Sequence, residues 1–252
     1  MKSIMNCFFC FLIWVQVSIA NEHIKIITEY FPPYSIYIDG QLEGISTEVV
    51  KAVLNDLKLN GLEIIVYPWV RAYNTALTEK NTLIFPLGRN NRRETLFKWV
   101  GVISPAQFYL FSLHNRDDIL IASLNEAQKY TLGTVINDVR EQYLIDKGFK
   151  VGTEIFTALN HDQNLLKLLK GRIDLWPMNE LAAYYLVKKR KLLPKYTIKK
   201  VFHLADLSTE GYYMAFNKDT DNNIVSQFRK SLNKIKQKGV YKNIISSYLV
   251  DD

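Results

Sequence analysis

Apolar and polar positions along this 252-residue chain fall into short β-like runs alternating with helical ones from residue 24 onward. Residues 24–28 (IKIIT) read as a strand, and Asp39-Gly40 within 37–42 is a pair favoured in tight hairpin turns. Ile45, Val49, Val53 and Leu57, with Val50 and Leu54, recur at the spacing of one helix face, and the β-branched run 62–67 follows as a buried strand. A second unit repeats the grammar: helix 69–80, strand 82–85, a short polar helix at 91–95, then strand 97–103 up to Ser104-Pro105. Alternation of this kind predicts an α/β fold with largely parallel sheets.

Pro105 marks a break, and residues 109–113 read as an extended segment leaving the first lobe. A second set of alternating elements begins near residue 130, with strands at 130–135, 151–156 and 172–176 and helices at 138–147, 162–170 and 179–189. After Pro194 come strands at 199–203 and 211–216. Ile224, Phe228, Leu232 and Ile235 then define an amphipathic helix too far from any new sheet to stand alone, so it returns to the first lobe. The expected organisation is a leader at 1–20, a discontinuous first lobe at 21–106 plus 212–252, and a second lobe at 107–211. Two crossings make a two-segment hinge around a cleft.

The first residues change the compartment. Lys2, an apolar run from Cys7 to Val15 and the small-x-small site Ser18-Ile19-Ala20 predict a cleavable secretory signal peptide and a periplasmic chain. Both cysteines lie in that leader, so the exported part has no thiol for a disulfide, a zinc site or a nucleophile. A net charge of +7 would suit nucleic acid, but export argues against that partner. The only dense basic run, Lys188 to Lys191, sits at a helix end, where cations favour the dipole. The four histidines, His23, His114, His161 and His203, are scattered and read as surface or loop residues. No glycine-rich phosphate loop or HExxH spacing occurs, and neither a metal nor an organic cofactor is expected.

Five stretches in fixed order then carry a resemblance: EYFPPYSIY at 29–37, LEGISTEVVKAV at 42–53, PWVRAYNTAL at 68–77, IFPLGRNNRRETLFKWVGVIS at 84–104 and GRIDLWPMNELAAYYL at 171–186. Together they resemble the family 3 solute-binding proteins of amino-acid-type ABC uptake systems. The resemblance implies a two-lobed periplasmic-binding-protein fold, a monomer that closes on a small polar ligand, and delivery to a membrane permease.

It also implies residues. Arg93 falls where the family places the arginine that grips a ligand carboxylate, a task suited to a planar two-donor fork. Tyr30, Tyr34 and Trp69 are candidate cleft rings, with Arg71 a second cation and Trp176 a ring from the other lobe. Asn137-Asp138 stands where members offer a Gly-Ser or Gly-Thr turn, and an Asp there is equally a helix N-cap. Asn179 replaces the usual aspartate for a ligand ammonium, and Gly88 replaces a hydroxyl. These departures argue against a standard α-amino acid, unless Glu180 or Asp138 supplies a displaced anion. The competing expectation is an enzyme on the same scaffold, a dehydratase-like protein using a cleft acid such as Glu180; a third is an adhesin with no small-molecule response.

Overall fold

A computed structural model describes residues 23–207 and 210–249 of the protein; the expected leader, with Cys7 and Cys10, lies outside the described residues. In chain order the elements are β1 (Lys25–Thr28), β2 (Ile36–Ile38), β3 (Gln41–Glu43), α1 (Ile45–Asp56), β4 (Ile64–Val66), α2 (Trp69–Thr78), β5 (Thr82–Gly88) and β6 (Phe97–Ser104), with a 3-10 turn at Asn91–Arg93. There follow β7 (Phe108–Leu113), β8 (Leu132–Val135), α3 (Val139–Asp146), β9 (Ile155–Ala158), α4 (His161–Leu169), β10 (Trp176–Asn179), α5 (Glu180–Lys189), α6 (Pro194–Thr197) and β11 (Ile198–His203). The chain ends with β12 (Tyr212–Asn217), α7 (Asn222–Gln237) and α8 (Val240–Tyr248).

The first lobe is a five-stranded sheet in the order β4-β1-β5-β12-β6. Its middle strand β5 is buried at every position and runs three residues beyond the expected 82–85. Leu83 and Phe85 enter one core with Val49 and Val53 of α1 and Phe228 and Leu232 of α7. Ile84 and Leu87 enter the opposite core with Trp69, Ala72, Tyr73 and Ala76 of α2. The i, i+3, i+4, i+7 spacing of those four residues is the stripe that seats α2 on the sheet. Asp39 and Gly40, both at positive φ, form the predicted hairpin turn between β2 and β3.

The second lobe holds an antiparallel sheet, β10-β7-β11, and a parallel pair, β8-β9, joined through a bridge between Leu132 and Leu175. Its core gathers Phe108, Leu110, Phe111, Leu165, Trp176, Met178 and Leu186, and extends to Phe31 and Tyr34 of the first lobe.

Three expectations change. The sheets are not largely parallel, because β12 runs antiparallel to both β5 and β6 and β7 runs antiparallel to both its neighbours. A chain that leaves a lobe and comes back must return in the opposite direction. Residues 109–113 belong to the central strand of the second sheet rather than to a connecting segment. The strand expected at 172–176 begins instead at Trp176, and α6 and α8 carried no clear periodic signal.

The two crossings lie side by side. Gly211 has φ +119°, and a Cβ there would stand 2.3 Å from the Ser104 carbonyl oxygen, so only glycine lets the returning strand pass the outgoing one this closely.

Candidate functional site

Where the lobes meet, the chain concentrates charge. Of the three neighbouring arginines, Arg89 turns outward to Glu94 and Arg92 to Asp146. Arg93 alone turns inward and is 0% exposed. Asn90 prepares it by accepting from the Arg93 amide at 3.0 Å, capping the 3-10 turn. Its guanidinium then spans the seam: Nη1 donates to the Gly88 carbonyl in the first lobe (2.9 Å), Nη2 to the Asn137 carbonyl (2.8 Å) and Nε to Gln142 Oε1 (2.9 Å) in the second. The rings of Tyr73 and Trp69 lie 4.8 and 5.4 Å from its central carbon. All three acceptors are neutral, and burial depresses the pKa of Arg93.

Trp69 closes the same seam by donating Nε1–H to the Ile136 carbonyl at 3.0 Å. Gly88 faces Val139 across it, and a Cβ added at Gly88 would lie 2.7 Å from Val139 Cγ1.

Asp138 caps α3 through the Arg140 amide, as expected of an Asp at that position, and also binds the Arg140 guanidinium with both carboxylate oxygens. Asp138 is 5% exposed and Arg140 2%. Burial works against the Asp138 charge, but Arg140 more than offsets it and holds the carboxyl at about 2. Beside them His161 is 8% exposed, its Nε2 3.0 Å from Arg140 Nη2 and its ring 5.2 Å from that of Phe31. This corrects its reading as a surface histidine. Burial, with Arg140 adding to it, brings His161 down to about 3, so it is neutral. Glu29 is pushed up to about 8, first by burial and then by Asp138, so it too is largely uncharged at neutral pH. Of Arg93, Asp138, Arg140, His161 and Glu29, the two arginines are cations and Asp138 is the ionised carboxylate.

Next to the seam lies a cavity of about 460 Å³. Glu29, Tyr30, Phe31, Tyr67 and Trp69 wall it from the first lobe, and residues 159–162 with Leu186 from the second. His161 Nδ1 is buried there without a hydrogen-bond partner.

The remaining expected residues are dispersed. Tyr34 is fully buried, its hydroxyl 3.0 Å from the Pro105 carbonyl and 3.1 Å from Asn179 Oδ1. Asn179 is also 0% exposed; its Oδ1 caps α5 through the Ala182 amide and its Nδ2 donates to the Tyr212 hydroxyl. Both residues thus tie the hinge rather than face the cavity. Trp176 is packed in the second core, Arg71 is exposed with its guanidinium 4.0 Å from the Tyr67 ring, and Glu180 pairs with Lys200 on β11. Reading the sequence missed Arg140, Glu29 and Phe31. For His161 a signal existed, because it shares a stripe with Leu165 and Leu168 on α4.

The model of the bacterial extracellular solute-binding proteins, family 3, matches residues 24–251. This chain belongs to that family. No curated protein sequence matches this family 3 protein closely enough to add to it. Solved structures share its two-lobed fold. An ancestral arginine-binding protein bound to arginine superposes with a TM-score of 0.77 at 20% identity, covering 90% of this chain and 97% of that one. A histidine kinase sensor domain similar to periplasmic binding proteins gives 0.75 at 16%, covering 90% and 97%. The arginine-, lysine-, histidine-binding protein ArtJ from Geobacillus stearothermophilus gives 0.74 at 15%, covering 90% and 96%.

Proposed function

We propose that this family 3 protein works in the periplasm as a monomer, captures a small carboxylate between its lobes, carries out no chemistry on it, and passes it to the permease of an ABC uptake system. The observation that carries this reading is Arg93: a fully buried guanidinium, reached from both lobes, whose three acceptors are neutral. A buried cation without a counter-ion is costly, and an anion offering two parallel acceptors relieves that cost. When the lobes part, the Asn137 carbonyl and Gln142 leave with the second lobe, and the freed donors become the ligand's. The adjacent cavity supplies rings of Tyr30, Phe31, Tyr67 and Trp69 for an apolar body.

The ligand's α-ammonium finds little here. Asp138 is taken by Arg140, Asn179 is neutral and engaged in the hinge, and Glu29 holds its proton near pH 7. A carboxylate without a free α-ammonium, such as a hydroxy, oxo or acylated acid, suits the site better. Arginine, bound by one of the similar structures, shares only its carboxylate with that class.

The test is a thermal-shift screen of hydroxy acids, oxo acids, acyl amino acids, amino acids, amines and sugars on the purified protein and Arg93→Ala. A ligand at 100 times its dissociation constant adds about 2.7 kcal/mol, a rise of roughly 5 to 10 °C for a chain of this size. Carboxylate hits that vanish in Arg93→Ala support the reading. Hits confined to sugars or amines, or unchanged by Arg93→Ala, overturn it.

A further inference from the structure

Arg140 sits in a place built for a cation, yet it belongs to the chain. Its guanidinium lies 5.7 Å from the Phe31 ring, which the first lobe contributes, and 5.8 Å from the Phe108 ring of the second, the range in which an aromatic face attracts a cation. Both oxygens of Asp138 accept from it, His161 Nε2 lies 3.0 Å from Nη2, and Met178 Sδ receives Nη1 at 2.8 Å. A planar cation is therefore flanked by rings from the two lobes, neutralised along one edge by a carboxylate and almost wholly buried. The side chain reaches this position from the second residue of α3.

We infer that Arg140 is a resident occupant of the cleft's cation subsite, a specificity-determining residue that bars guanidinium- and ammonium-bearing side chains from the site. The inference rests on the cleft being where ligand binds. Three physical consequences follow. Phe31 and Phe108 already hold the Arg140 guanidinium over their rings. Asp138, the carboxylate that faces this position, is already satisfied by Arg140. A second cation would add to the charge of Arg93 and Arg140 in a buried site, where repulsion between like charges is poorly screened.

The occupant is removable by substitution. Arg140→Ala deletes the side chain beyond Cβ, and N-ethylguanidinium has the atoms that would refill the space. Thermal shift and calorimetric titration at millimolar probe are run on native protein, Arg140→Ala and Arg140→Lys, with urea as the uncharged control. The expected result is no response of native protein or Arg140→Lys to N-ethylguanidinium, agmatine or arginine, and a rise of several degrees in Arg140→Ala with N-ethylguanidinium but not with urea. Binding of any of the cations by native protein or Arg140→Lys overturns the inference, as does folded Arg140→Ala that fails to take up N-ethylguanidinium. If Arg140→Ala folds only with the probe present, that rescue is itself the predicted refilling; if it does not fold at all, the native and Arg140→Lys responses decide. Carboxylates without a cation, titrated on the same proteins, read the Arg93 site separately, so a failure here is distinguishable from a failure of carboxylate capture.

Discussion

Gly88→Ala measures how tightly the seam is closed. The residue ends β5 in the first lobe, and an added Cβ would lie 2.7, 2.9 and 3.1 Å from Cγ1, Cβ and Cγ2 of Val139 in the second. Ordinary contact begins near 3.4 Å, so the lobes must separate by several tenths of an ångström or Val139 must leave its place at the start of α3. Overpacking of this kind costs about 1 to 3 kcal/mol. If the cost falls on closure alone, it shifts the closed-to-open ratio by roughly 5- to 150-fold. The sheets themselves are untouched, so the melting temperature should change little while small-angle scattering of the ligand-free protein shows a larger radius of gyration. Gly88→Ala/Val139→Ala should recover only part of the closure, because the Val139 Cβ remains 2.9 Å away. An unchanged radius of gyration in Gly88→Ala, or a large loss of thermal stability instead, would refute the claim that this contact governs closure.

Glu29 sets a pH dependence of defined sign. Its folded pKa of about 8 lies above the ordinary 4.5, so the folded state holds a proton the unfolded chain has lost, and stability falls as pH rises from about 4.5 to 8. Glu29→Gln should flatten that decline in melting temperature, and a decline equally steep in the variant would contradict the assignment. Asp138→Ala strands the Arg140 guanidinium in the seam and should cost about 3 to 5 kcal/mol in urea unfolding; a loss below 1 kcal/mol would mean that water reaches Arg140. Gly211→Ala pushes a Cβ to within 2.3 Å of the Ser104 carbonyl at a φ of +119° and should lower the melting temperature by several degrees, with an unchanged value arguing against a tight hinge.

The parts of this fold governed by local periodicity were readable from the chain. The stripe of Val49, Val53 and their neighbours places α1, that of Ile224, Phe228, Leu232 and Ile235 places α7, and Asp39-Gly40 places the first hairpin. The resemblance singled out Arg93, and burial separates it from Arg89 and Arg92. The rest of the seam was hidden because its partners come from distant segments. Glu29 follows β1, Asp138 and Arg140 open α3 and His161 opens α4, and no helical or strand spacing brings these three segments together. Asp138 and Arg140 are two apart, a separation that does not face on a helix; they meet because Asp138 stands at the cap with extended backbone. Asn179 looked like a lost ligand contact, whereas its two hydrogen-bonding ends are committed to the α5 cap and the hinge tyrosines.

The central claim is that Arg93 selects an anion, and the most direct measurement is a calorimetric titration of the best carboxylate from the screen against its own amide, which keeps shape and removes charge. The account predicts that the carboxylate binds native protein at least about a hundredfold more tightly than the amide, a gap of roughly 2.7 kcal/mol, and that Arg93→Ala abolishes the difference. Equal affinity for carboxylate and amide in the native protein, or a preference that survives in Arg93→Ala, would contradict it.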